Sequence, residues 1–272
     1  MKKSLKMLAL ASIGLAILAT TSCDKLRARA ELNKGVQAFK ANHPEQAVDH
    51  FQKAKGLDPD LINARIYLAT AYATQYTPGA DTPDNNQLGQ QAIDEYKSVL
   101  EKDPKNVNSL KGIAALYFNM KKMDEAKQYH HKVTELDPND PETYYSIGVI
   151  DWTQAYQNAS EVKAKEGLKV DDDIIKDKKL CPALKTQNDA LVQDGIDSLN
   201  KAIALRPDYD DAMAYLNLLY RRKGDLECGD AAAKQADTKK ADEYVDQAMA
   251  VKKARAEKQP GAQGIVMDQS KQ

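Results

Sequence analysis

Residues 107–140 read VNSLKGIAALYFNMKKMDEAKQYHHKVTELDPND. Leu110, Ile113, Ala114 and Tyr117 recur at helical spacing, Ala126 and Val133 do the same further on, and Leu136-Asp137-Pro138 closes the stretch. An X-Pro step pushes the preceding residue out of the α region, so this ending stops a helix. The same ending recurs as Gly56-Leu57-Asp58-Pro59, Glu101-Lys102-Asp103-Pro104 and Ala204-Leu205-Arg206-Pro207. Successive prolines, Pro59, Pro104, Pro138 and Pro207, lie 45, 34 and 69 residues apart. A fixed period near 34 residues, with the longer gaps read as insertions, points to a stacked helical repeat.

Aligned on these prolines, the flanking chain supplies matching positions. Residues 28–61 offer Gly35, Ala38, Ala47, Phe51 and Ala54, and residues 62–106 offer Leu68, Ala69, Tyr72, Ala92 and Tyr96. Residues 141–209 offer Tyr144, Ile147, Gly148, Gly195, Leu199 and Ala202, and residues 210–255 offer Met213, Leu216, Tyr220, Ala241, Val245 and Ala248. This alternation of large, small and aromatic positions resembles the tetratricopeptide-repeat (TPR) family, with His130 where the family has Phe or Tyr. The resemblance implies an all-α TPR α-solenoid of about five helix-turn-helix repeats, spanning 28–255. Insertions of 11, 35 and 12 residues fall in repeats 2, 4 and 5, between helix A and helix B of each. Small residues at Gly35, Ala69, Ala114 and Gly148 allow close helix approach, and Asp60, Asn106, Asp140 and Asp208 are available as caps. Such an array is stabilised between nearest neighbours.

By family geometry the inner face is lined by helix A. Here that face carries Leu32, Val36, Phe39, Ile66, Ala73, Ala115, Phe118, Tyr145, Val149 and Trp152, with Arg29, Asn63, Asn108, Lys111 and Arg221 among them. An apolar, aromatic groove suits an amphipathic helix or an extended peptide. The candidate partner-binding residues are Phe39, Ile66, Lys111, Phe118, Tyr145 and Trp152. The competing reading packs the same side chains between adjacent A helices. Leu32, Val36, Tyr67, Asn108 and Gly112 stand where chaperone-binding TPRs hold a carboxylate clamp, which disfavours a co-chaperone.

Lys2, Lys3 and Lys6 precede an apolar run from Met7 to Ala19, followed by Thr20, Thr21, Ser22 and Cys23. A positive segment, a short apolar core and small residues before a cleavage point describe an export signal, and the run is too short to span a bilayer. Cys23 after small residues resembles the lipobox of bacterial lipoproteins, with Thr20 in place of the usual Leu. The resemblance implies a signal peptide over 1–22, acylation of Cys23, a lipidated linker over 23–27 and a periplasm-facing protein anchored in the cell envelope. Ordinary cleavage or an uncleaved anchor are the alternatives, and Asp24 leaves inner against outer membrane open. The chain has 39 basic and 40 acidic residues; loss of residues 1–22 removes three Lys, leaving a net charge of −4. No nucleic-acid partner is expected.

Cys181 and Cys228 lie in insertions 4 and 5, on the same edge of consecutive repeats. In an exported chain they are a candidate disulfide, with two buried thiols as the alternative. Asp171-Asp172-Asp173 lacks the Gly and trailing Glu of a calcium loop and reads as a solvated charge run. His43, His50, His130 and His131 show no metal spacing, and no nucleophile or phosphate-loop motif is present, so neither metal, cofactor nor catalytic residue is assigned. The sequence points to an adapter in envelope assembly; the opposing class is a periplasmic enzyme or redox protein with its site in 152–194. The polar tail, 256–272, is expected to be disordered.

Overall fold

A computed structural model of the 272-residue chain describes residues 23–258. The expected signal peptide and residues 259–272 of the expected disordered tail lie outside them. The described residues form helices only: α1 (23–40), α2 (Pro44–Leu57), α3 (Ile62–Gln75), α4 (Pro83–Lys102), α5 (Val107–Asn119), α6 (Met123–Leu136), α7 (Pro141–Ala164), α8 (Leu180–Leu205), α9 (Asp210–Asp225) and α10 (Ala231–Lys258). Consecutive helices pair as A and B of five repeats. The fold class expected from the sequence is the one observed. Two end segments differ from their expected state. Residues 23–27 are the first described turn of α1, where Lys25, Leu26 and Arg27 are good helix formers without a Gly or Pro. Residues 256–258 are the last of α10.

Each helix B stops two residues before its proline, at Leu57, Lys102, Leu136 and Leu205. The residue before the proline is forced out of the helix: Asp58 has φ −138° and ψ 91°, Asp103 −133° and 82°, Arg206 −135° and 92°. Two of the four caps form. Asn106 accepts from the Ser109 N–H at 3.0 Å, and Asp140 accepts from the Glu142 N–H at 3.3 Å. Asp60 and Asp208 do not cap: α3 and α9 begin after Leu61 and Tyr209, without side-chain caps. Asp60 instead accepts from the Lys102 ammonium, which also reaches the Pro59 carbonyl, so the pairing ties the end of α4 to the turn after α2.

In repeats 1 and 3 helix A closes through a left-handed residue, Asn42 or Lys121, each at φ 59°. The amides that follow, His43 and Lys122, donate back to Ala38 and Tyr117, the 6→1 closure of a helix C-terminus. This tight turn is the point at which repeats 2, 4 and 5 carry their insertions. Most of the added residues become helix rather than loop. α4 grows to 20 residues, and α7, α8 and α10 to 24, 26 and 28, leaving connections over 76–82, 165–179 and 226–230.

The described residues divide into two compact units, one ending at Tyr129 and one starting at His130. The core of the first gathers Ala47, Phe51, Leu68, Ala69, Ile93 and Ile113, all at most 1% exposed. Gly35 lies so close to Phe51 that a Cβ there would fall 2.5 Å from the ring, which is why α1 and α2 can touch. The core of the second gathers Leu184, Val192, Ile196, Leu199, Leu216 and Leu219. Gly148 against Leu199 repeats the close approach between α7 and α8. Burying such side chains contributes about 1.5–3 kcal/mol each.

Candidate functional site

In the first unit, Asn63, Ile66 and Thr70 share one face of α3, with Asn108 on α5 beside them. With Tyr67 and Tyr96 they line a depression of about 330 Å³. Tyr96 is its floor: its hydroxyl lies 3.0 Å from the Thr70 hydroxyl, which also donates to the Ile66 carbonyl at 2.8 Å. Burial holds the Tyr96 phenol protonated above its usual range. Tyr67, 39% exposed, stacks on fully buried Phe51 at 5.5 Å. Of the residues expected here, Phe39 and Ile66 are half-buried against the first core, and Lys111 and Phe118 are half-buried on α5. The depression therefore takes in Ile66 and leaves out Phe39, Lys111 and Phe118.

In the second unit the structure assembles something larger. Tyr209 meets Tyr145 at 5.0 Å, Tyr145 meets Tyr215 edge-on at 5.6 Å, Tyr215 meets Trp152 edge-on at 5.5 Å, and Trp152 meets Tyr156 at 5.4 Å. Five rings thus form a ladder, three from α7 at i, i+7 and i+11, one from α9 and one from the turn before it. Trp152, the only Trp of the chain, packs against the second core. It is half-buried in the middle of the ladder, and Tyr156 ends the row 37% exposed. Edge-to-face pairing at these separations stabilises the rings against one another beyond their buried area.

The other end of the ladder is polar. Glu142 accepts from the Tyr209 hydroxyl and from Arg206 at 2.6 Å, and the Arg206 guanidinium sits 4.4 Å above the Tyr209 ring. Arg255 reaches the Asp210 carboxylate at 2.8 Å. These groups, with Tyr145, line a second depression of about 340 Å³. Tyr209 and Arg206 together hold the Glu142 carboxyl below its usual range, while burial pushes the Tyr145 phenol up to about 12. The arrangement offers ring faces and edges, a paired carboxylate and a guanidinium, which is chemistry for binding a polypeptide.

The segment 152–194 is organised around an ammonium. Lys163, fully buried, donates from Nζ to the carbonyls of Val170 at 2.6 Å and Asp172 at 2.8 Å, with the Asp225 carboxylate 4.0 Å away. Burial lowers the Lys163 pKa and raises that of Asp225. The acids read as a solvated run are solvated, Asp171 at 80% and Asp173 at 60% side-chain exposure, and make surface contacts: Asp171 pairs with Arg222, Asp172 accepts from the Lys169 N–H, and Asp173 pairs with Lys234. Cys181 and Cys228 form the disulfide, with their Cα atoms 5.6 Å apart. Cys23 is exposed and unpaired at the start of α1. Among the described residues no group of three or more His, Cys, Asp or Glu is placed to hold a metal, and no helix is long and apolar enough to cross a membrane.

A tetratricopeptide-repeat family model matches residues 88–147, covering parts of α4 to α7. MamA from Desulfovibrio magneticus RS-1, at 16% identity, superposes with a TM-score of 0.57 over 84% of this chain and 97% of its own. Its fold is that of a TPR α-solenoid. A second MamA structure gives 0.55 at 15% identity, over 82% and 96% of the two chains. YrrB, described as a TPR protein with an unusual peptide-binding site, gives 0.51 at 14% identity, over 83% and 90%. No curated protein sequence matches the chain.

Proposed function

We propose that the protein is a membrane-tethered, periplasm-facing TPR adapter that binds a protein or peptide partner in cell-envelope assembly. The tether is the acylated Cys23, supported by the basic segment, apolar run and small residues that precede it. The binding role rests on one observation, the five-ring ladder on the helix-A face of the second unit, with Trp152 at its centre. Half-buried aromatic rings present large, rigid contact area at small entropic cost and are enriched where binding energy concentrates. A partner bringing an apolar helix face or extended segment fits the rings, and a cationic or amide group fits the Glu142 end. The peptide-binding site described for YrrB shows that the fold accepts such a partner in another protein.

Affinity capture on the full chain, from detergent extracts of its own envelope, tests this. Trp152→Ala with Tyr215→Ala is expected to lose a partner that the wild type and Ile66→Ala retain. An unchanged partner set overturns the assignment. Unchanged partners together with a hydrolytic or redox activity mapped to 152–194 would replace it with the enzyme reading.

A further inference from the structure

The outer surface of α1 differs in charge from the rest of the molecule. Between Cys23 and Lys40 the chain carries five cations, Lys25, Arg27, Arg29, Lys34 and Lys40, and two acids, Asp24 and Glu31, whereas the chain from Cys23 onward is net −4. At 100° per residue the five cations spread over the exposed side of the helix, an arc of about 200°, while Ala28, Leu32 and Gly35 lie on the opposite, buried side, with Gly35 against Phe51 of α2. The two acids lie at the edge of that arc. Asp24 pairs with Arg27 at 3.3 Å, and Glu31 pairs with Lys34 and His50, each at 2.7 Å. These partners hold the Glu31 carboxyl down at about 2, ionised at every working pH. Leu26, 65% exposed, stands amid the cations as the most exposed large apolar side chain among the described residues. Beside them, Arg27, Glu31, Lys34 and Lys53, with Ala30, Gly56 and Leu57, line a depression of about 460 Å³, and Gly56 leaves open space there.

We propose that the exposed arc of α1 is a docking surface for anionic phospholipid headgroups, with Leu26 entering the interface. This rests on the anchoring read from Cys23 and adds a second contact to it. A helix rises 1.5 Å per residue, so an attachment at Cys23 holds Lys25, Arg27 and Arg29 within about 10 Å of it, inside one Debye length of the surface. A single acyl or electrostatic signal gives weak association, and the two together give a stable one. The arc also fixes orientation: with α1 laid on the membrane, the first repeat is held at the surface.

The test uses the full chain as extracted from its membrane, reconstituted on phosphatidylcholine vesicles with and without phosphatidylglycerol. Lys25, Lys34 and Lys40 are labelled with a water-soluble amine reagent and quantified by peptide mass spectrometry. Labelling is expected to fall about threefold or more on the anionic vesicles and to recover in high salt. In Lys25→Glu/Arg29→Glu, Lys34 labelling is expected to be the same on both vesicles. Equal labelling of the wild type on both vesicles overturns the proposal. So does protection by inorganic phosphate without vesicles, which would make the depression a site for free anions. Retention on neutral vesicles reports the anchor separately: its loss, with the anionic contrast intact, refutes acylation and leaves the arc standing.

Discussion

Reduction of the Cys181–Cys228 disulfide is expected to destabilise the second unit and leave the first unchanged. The bond closes a loop with a sequence separation of 47. Constraining that loop in the unfolded chain stabilises by about 4 kcal/mol at 25 °C in the chain-entropy model, and measured disulfides commonly give about 2–4 kcal/mol. The folded state loses little on reduction, because Cys181 is fully buried and its Sγ lies 3.5 Å from the Asp225 carbonyl, where a thiol can donate. For a unit of this size each kcal/mol moves the midpoint by about 3 °C, so a fall of about 6–12 °C is expected. Trp152 lies in the second unit and has no counterpart elsewhere, so its fluorescence follows that unit alone during a thermal scan with and without a phosphine reductant. Cys181→Ala/Cys228→Ala serves as the permanently open form. A midpoint that moves by less than about 3 °C, with thiol titration showing complete reduction, refutes the reasoning: the loop would then already be closed in the unfolded chain.

Lys163→Met is expected to cost about 2–4 kcal/mol in urea unfolding followed by Trp152, because two carbonyls lose the fully buried ammonium that donates to them, while exposed Lys165→Met stays within about 0.5 kcal/mol. Equal midpoints for the two variants would show that the ammonium bonds do not hold the 165–179 connection. Glu142 gives a pH signature. Its folded pKa is lowered by the Tyr209 hydroxyl and then Arg206, so its stabilisation is fully present above the unfolded value of 4.5 and is lost as pH falls through the lowered folded value. The group is half exposed, which keeps the effect under about 1 kcal/mol. Wild type and Glu142→Gln are therefore expected to differ in midpoint at about pH 7 and to converge as pH falls below the lowered folded value. A constant difference would assign the effect to shape rather than charge.

What the sequence made legible were features with a local cause. The prolines stop helices through sterics within two residues, and small residues at Gly35 and Gly148 mark close approaches that any backbone pairing requires. The destiny of the insertions was less visible, although a signal existed. Leu180, Leu184, Val192, Ile196 and Leu199 trace one helical stripe that runs from the insertion into helix B. Asn188 interrupts that stripe. It is 1% exposed, donates to the Ala155 carbonyl at 2.8 Å and accepts from Asn158 at 2.8 Å, so a polar side chain serves as core. Tyr145 and Trp152 could be placed on one face of a helix. The ring that joins them, Tyr215, comes from the next repeat, and no spacing within a repeat announces that meeting. Lys163, one of several charges in a locally neutral segment, gave no sign of burial, since its partners are backbone carbonyls that any residue supplies.

The long fourth repeat and the disulfide have one physical explanation. Helices of 24 and 26 residues outrun the 16-residue α9 beside them, and the overrun is apolar on its inner side at Ala155, Ala159 and Leu184. Exposed, that surface would be an aggregation liability. The 165–179 connection covers it: Ile174 and Ile175 are 3% and 6% exposed. A connection of that length has no ladder of its own, so its backbone is satisfied partly by turns within it, such as the Asp172 N–H donating to the Lys169 carbonyl, and partly by partners from outside. Lys163 supplies two carbonyls, the Gly229 N–H supplies Ile175 at 2.8 Å, Arg222 and Lys234 hold the acids, and the disulfide fixes Cys228, adjacent to Gly229, to the first turn of α8. The cover is thus bound to three helices at once. With the overrun covered, Tyr145, Trp152 and Tyr215 stay half-buried against the same core, and Tyr156 ends their row 37% exposed.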